Sequence, residues 1–95
     1  MYGVIRTKDF ERSLNKIKRS GLFKPTVRRN LEEVITLLAE RKGLPVSCND
    51  HQLKGELGQY RECHIKGDLL LEYRYLDDIL ILVLVDIGNH SYLFG

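Results

Sequence analysis

Three histidines carry most of the chemistry this chain could do: His51, His64 and His90. Histidine is the side chain best suited to proton transfer near neutral pH. Taken singly, each reads most simply as a surface or satisfied histidine. His64 stands apart because Asp68 follows it by four residues. A carboxylate beside an imidazole orients the ring and favours its charged form. Two cysteines, Cys48 and Cys63, are too few for a disulfide framework. With His51 and His64 they form the ligand count of a zinc site, Cys48-x2-His51 and Cys63-His64. Consecutive residues on a strand point to opposite faces, however, so Cys63 and His64 cannot close on one ion without a bulge. A cysteine nucleophile fares no better. Cys63 belongs in the core, where a thiol behaves as a small hydrophobe, and no signature supports Cys48.

These residues need elements to position them. Residues 2–6 read as a short strand. Thr7 is a plausible helix N-cap, with Asp9 and Glu11 in a first turn where the helix dipole favours acids. Phe10, Leu14 and Ile17 form one apolar stripe, and Gly21 ends that helix as a left-handed cap. Pro25 suits the first position of a second helix, whose buried face is Val27, Leu31, Val34, Ile35 and Leu38. Gly43 and Pro45 close it. The period then changes from helical to alternating, and residues 60–64, 69–76 and 79–86 read as three strands. Asp77-Asp78 makes the tight connection between the last two. The expected fold is α+β: a small antiparallel sheet, with an N-terminal strand and a three-stranded C-terminal meander, packed on a two-helix hairpin. Residues 1–95 read as one domain.

The first hairpin can be given a register. A three-residue loop, Ile65-Lys66-Gly67, puts Gly67 at a left-handed bulge position. His64 then faces Asp68, and Glu62 faces Leu70, on the sheet side away from the helices. Cys63, Leu69, Leu71 and Tyr73 go to the core side. A two-residue turn would oppose His64 to Leu69 and mix the faces.

Composition narrows the class. The chain is 43% hydrophobic and 29% charged, which argues against intrinsic disorder. The net charge of +2 hides an asymmetry. Residues 1–43 hold 11 Lys and Arg against 5 Asp and Glu, whereas residues 44–95 hold 4 against 8. A basic first half raises the expectation of a polyanion partner. The N-terminus does not read as a signal peptide, and the longest apolar run, Ile79 to Val85, is far short of the roughly 20 residues that span a bilayer. A soluble, reduced, cytoplasmic protein with no membrane partner is expected.

Three segments together carry a resemblance. Asp50-His51-Gln52-Leu53-Lys54-Gly55 forms a DHxLxG loop. Tyr60-Arg61-Glu62-Cys63-His64 with Asp68 forms a YRExHxxxD strand motif. Gly88-Asn89-His90-Ser91-Tyr92-Leu93-Phe94 forms a GxHxxLF tail. In this order and spacing the chain resembles the YafQ family of bacterial toxins, within the RelE/ParE superfamily. The first half matches only as the strand-helix-helix pattern of that superfamily.

The resemblance implies the toxin of a type II toxin–antitoxin system, a ribosome-dependent endoribonuclease that cuts mRNA in the A site. It implies a cognate antitoxin, the ribosome and mRNA as partners, and a RelE/ParE-like fold. It makes His51, His64, Asp68 and His90 the catalytic set, with Phe94 stacking on a base. The cut is expected to be metal-free and to need no cofactor. The 2′-OH attacks, a base takes its proton, and an acid protonates the 5′-oxygen. His90 is assigned the acid and His51 the base; His64, oriented by Asp68, positions the phosphate or substitutes as base. Family members often carry arginine where this chain has Asp86, so the phosphate's cation falls to Lys54, Arg61, Lys66 or Arg74. Asp86→Arg is then expected to speed cleavage. Basic residues of the two helices would hold ribosomal RNA. Two rival readings are a non-catalytic superfamily toxin that binds a protein target such as gyrase, and an inactive relative that binds only antitoxin or RNA.

Overall fold

The structure, a computed structural model, describes residues 1–94. The chain begins with strand β1 (Gly3–Arg6), helix α1 (Lys8–Arg19) and helix α2 (Pro25–Ala39). Thr7 caps α1 as expected, its hydroxyl accepting from the Phe10 amide at 3.0 Å. Gly21 adopts φ +80° just beyond the helix end. At the end of α2 the left-handed residue is Arg41 (φ 59°), not Gly43. Then follow β2 (His51–Gln52), β3 (Arg61–Lys66), β4 (Leu69–Leu76), β5 (Ile81–Gly88) and a short α3 (His90–Phe94).

The five strands form one sheet in the order β1-β5-β4-β3-β2. The α+β architecture is as read from sequence, but the sheet is mixed: β1 runs parallel to β5. Those two strands are joined through most of the chain, so no tight turn forces them antiparallel. The β2 strand, two residues long, escaped the sequence reading.

Both helices pack on one sheet face. Phe10 and Leu14 of α1 and Val27, Leu31, Val34 and Leu38 of α2 meet Cys63, Ile65, Leu71, Tyr73, Leu82, Leu84 and Ile87 in a single buried cluster. Leu71, Tyr73, Leu82, Leu84 and Ile87 are fully buried.

Two β-bulges set which side chains reach the other face. In the first hairpin His64 pairs with Leu70 and Lys66 with Leu69, leaving Ile65 as the extra residue. The expected pairings of His64 with Asp68 and Glu62 with Leu70 are therefore wrong by two residues. The turn is the two-residue Gly67-Asp68, with Gly67 at φ +57°. The bulge restores the face assignment that a two-residue turn alone would have mixed. In β5, Tyr73 pairs with Leu84 and Glu72 with Asp86, so Val85 is extra. Strict alternation would put Asp86 in the apolar row of Leu82 and Leu84; the bulge gives that place to Ile87.

Each bulge carbonyl is met by a helix side chain. The Thr7 hydroxyl donates to Val85 O at 2.7 Å, and Asn30 Nδ2 donates to Ile65 O at 3.1 Å. The β4–β5 connection is a short 3-10 turn, Asp77–Ile79, followed by Leu80 at φ 55°. Last, no helix is long and apolar enough to cross a membrane.

Candidate active site

The sheet face away from the helices carries the ionisable residues. Strand pairing lines up His51, Glu62, Glu72 and Asp86 in one row across four strands. The next row holds His64, Leu70 and Gly88. His64 lies two residues from Glu62 on β3, so it is a diagonal neighbour of His51, ~7–8 Å away. His90 begins α3 two residues beyond Gly88, at the end of that second row.

His51 is held from two sides. Its Nδ1 lies 2.7 Å from Asn49 O and its Nε2 lies 3.4 Å from Glu62 Oε1. A carbonyl only accepts, so Nδ1 carries the proton and Nε2 of the neutral ring is the basic atom. Asn49 turns its carbonyl to the ring from a left-handed conformation (φ 46°), which Asn tolerates well. The loop itself is clamped by Asp50. Its carboxylate accepts a hydrogen bond from the fully buried Tyr73 hydroxyl and meets Arg61 Nη2 at 3.1 Å. Arg61 Nε also donates to the Tyr73 oxygen at 3.3 Å. Burial and the neighbouring Asp50 push the Tyr73 hydroxyl pKa up, so it remains a donor throughout the physiological range.

His64 uses the same device. Its Nδ1 donates to Gly67 O at 3.2 Å, which leaves Nε2 free. The partner that orients it is thus a backbone carbonyl. Asp68 is exposed in the turn, and its carboxylate is not His64's hydrogen-bond partner. His90 is exposed, with its ring centroid 5.0 Å from that of Phe94 one helical turn later. A cleft of about 420 Å³ lies between the helices and the end of the sheet, where Ser13, Lys16 and Val27 face Lys66, Asp68 and Tyr92; none of the three histidines lines it.

Two carboxylates on this face were not among the site residues named from sequence, although the sequence reading had already put Glu62 on the face of His64. Glu62 is only 6% exposed, and its Oε2 is buried without a hydrogen-bond partner among the described residues. Glu72 sits beside it, its pKa raised first by burial and then by the charges of Asp86 and Glu62. The signal was available: Glu62 and His64 are two residues apart on one strand and must share a face. Of the other residues named from sequence, Lys54 and Lys66 are exposed, whereas Arg61 is engaged by Asp50 and Tyr73. Arg74 lies over the Tyr60 ring at 5.8 Å. Asp86 shares the row of Glu72 by register, but its carboxylate is engaged by α1: Ser13 Oγ donates to its Oδ1 at 2.6 Å.

The cysteines lie away from the histidine cluster's hydrogen bonds. Both are free, Cys63 is fully buried, and burial raises both thiol pKa values. Among the described residues, no group of three or more His, Cys, Asp or Glu is placed to hold a metal ion.

A protein-family model described as the bacterial toxin of type II toxin–antitoxin systems, YafQ, matches residues 2–95. The chain belongs to the YafQ family. As a YafQ chain it is a toxin of a type II toxin–antitoxin system. The putative toxin YafQ of Haemophilus influenzae is 50% identical over 42 residues, 44% of this chain and 41% of that protein. The matched stretch therefore spans less than half of that relative. A metal-bound toxin from Helicobacter pylori is similar along nearly the whole chain, at 37% identity and a TM-score of 0.88, covering 99% of this chain and all of that one. YafQ in the Escherichia coli DinJ–YafQ complex superposes with a TM-score of 0.84 at 25% identity, over 100% of both chains. The YafQ fold is thus shared across the full length.

Proposed function

We propose that this YafQ-family toxin is a ribosome-dependent endoribonuclease that cleaves mRNA by metal-independent acid–base chemistry. The observation that carries the reading is the mounting of His51 and His64. Each ring has Nδ1 tied to a backbone carbonyl, which leaves Nε2 as the proton-accepting atom on one common sheet face. A structural histidine needs no such shared polarity.

In this reading His51 Nε2 takes the proton of the RNA 2′-OH. The 2′-oxygen attacks phosphorus, the bond to the 5′-oxygen breaks, and a 2′,3′-cyclic phosphate remains. The imidazolium formed at His51 is stabilised by Glu62, 3.4 Å away. His90 gives a proton to the departing 5′-oxygen. His64 substitutes as base or, when protonated, donates to a phosphate oxygen. Phe94, beside His90, offers a face for a base. Lys54 and Lys66 supply exposed cations, and Arg61 serves the loop instead. Asp68, on the cleft with Lys66, contributes to substrate placement rather than to orienting His64. The exposed Lys8, Arg12, Lys16, Lys18, Lys24, Arg28 and Arg29 of the helical half meet ribosomal RNA phosphates, an interaction that weakens as salt rises. The chain acts in the cytoplasm, where a cognate antitoxin covers this face, as DinJ partners YafQ in the Escherichia coli complex.

Expression in a bacterial host with mapping of mRNA ends tests this. Growth arrest with A-site cleavage, lost in His51→Ala and His90→Ala and insensitive to EDTA, is the expected result. Arrest without cleavage would point to a non-catalytic toxin acting on a protein target. No toxicity at all would point to an inactive, antitoxin-binding relative.

A further inference from the structure

Asp86 occupies the position, four residues before His90, where the family resemblance leads one to look for a phosphate-binding arginine. Its carboxylate is already engaged. Oδ1 accepts from Ser13 Oγ at 2.6 Å and from the Ile87 amide at 2.8 Å. Ser13, on α1, is only 3% exposed. A hydroxyl has one proton, and an ionised carboxylate can only accept, so that proton goes to Asp86. The Ser13 oxygen lies 2.9 Å from the Tyr92 hydroxyl and must therefore accept from it. The order of donation is Tyr92 to Ser13 to Asp86.

Tyr92 lies in α3, between His90 and Phe94. Five residues do not form a stable helix unaided, and this one is fixed from several sides. The Tyr92 ring lies against Gly88, where an added Cβ would come within 2.5 Å of Cδ2. Lys16 Nζ sits 5.3 Å from the ring centroid. Asn89 Oδ1 accepts from the Tyr92 amide at 2.8 Å. The link to Ser13 and Asp86 ties this segment by hydrogen bonds to both α1 and β5.

We infer that Asp86 is a positioning residue, which acts through Ser13 and Tyr92 to hold His90 and Phe94 over the end of the sheet. It takes no part in binding phosphate. The kinetic part of this inference rests on the nuclease reading; the structural part does not.

Backbone order measured by 15N relaxation NMR tests it directly. In Tyr92→Phe, which removes one oxygen, order parameters of residues 90–94 fall from the rigid value of about 0.85 toward 0.6, while the rest of the sheet is unchanged. Asp86→Ala gives the same loss. Asp86→Asn keeps an acceptor oxygen and restores the order. In single-turnover cleavage the loosened variants slow about tenfold with the substrate concentration for half-maximal rate unchanged. Undiminished order at residues 90–94 in Tyr92→Phe would overturn the inference, as would a defect confined to substrate affinity in Asp86→Ala. If Asp86→Ala does not fold, Tyr92→Phe decides alone. Loss of order in a chain whose wild type cuts no RNA would sustain the positioning role and reject the nuclease reading.

Discussion

His51 and His90 are mounted on the fold by opposite routes. His51 stands on a two-residue edge strand whose anchor is inside the protein: the fully buried Tyr73 donates to Asp50, and Arg61 closes the clamp. His90 stands on a five-residue helix whose anchor starts outside: Tyr92, 46% exposed, reaches inward through Ser13 to Asp86. Both mounts pair a tyrosine with an aspartate. They differ in how much of the fold depends on them. Breaking the first takes a fully buried tyrosine out of its hydrogen bond with Asp50; breaking the second frees a surface segment. Rigidity is thus built in at His51 and added on at His90.

The comparison can be broken most forcefully at the histidines. Removing either one should cost cleavage about 10²–10⁴-fold in single-turnover assays on ribosomes, the usual weight of a positioned acid or base. A large loss in one and none in the other would end the pairing of roles. Next comes Asp86→Arg. Sequence resemblance favours a gain in cleavage, but the structure reverses that expectation. The variant leaves Ser13 and the Ile87 amide without their acceptor, so stability should drop by about 2 kcal/mol in urea titration, and cleavage should slow. Tyr73→Phe should also lose about 2 kcal/mol, roughly 10 °C in Tm, because Asp50 loses its buried donor. Tyr92→Phe should lose less than about 1 kcal/mol, since water can replace an exposed hydroxyl's partner. Equal losses in the two tyrosine variants would refute the difference between the mounts.

The smallest effect concerns Glu72. Its pKa in the folded protein is raised above the ordinary 4.5, so the folded state holds that proton more tightly than the unfolded chain does. Stability therefore falls as pH climbs through the carboxylate range. Glu72→Gln should stabilise by about 0.5 kcal/mol at neutral pH. The gain should vanish below the ordinary carboxylate pKa. A gain independent of pH would show that burial and charge at Glu72 are not its cause.

Much of this architecture was legible because local signals agreed with it. Thr7, Gly21 and Pro25 mark helix ends by capping chemistry alone. The apolar stripes of both helices and the core side of β3 and β4 follow from period. What escaped was non-local. The bulges at Ile65 and Val85 have no residue signature of their own, and each shifts the pairing beyond it. Hence His64 was matched to Asp68, and Asp86 was left without a direction. The helix side chains Thr7 and Asn30, which satisfy those bulges, are far away in sequence. At the site, all three histidines stood out by type, whereas Glu62 and Glu72 did not. A carboxylate in an alternating strand reads as exposed, and only the strand pairing brings the acids together with His51.

Those two bulges also bear on the order in which the molecule assembles. At each of them the sheet alone would favour regular pairing, because an extra residue leaves a backbone carbonyl unmatched. The correct frame gains its missing hydrogen bond only when α1 brings Thr7 to Val85 and α2 brings Asn30 to Ile65. The helices thus proofread the strands. A meander that zipped up ahead of them would settle one residue out of phase at β5 and send Asp86 toward the apolar side. Amide exchange at the end of β5 should accordingly follow the opening of α1, and exchange at the tip of β3 that of α2, as hydrogen-exchange measurements on helix-destabilised variants would check. The face that carries the histidines becomes correct only when the opposite face is complete.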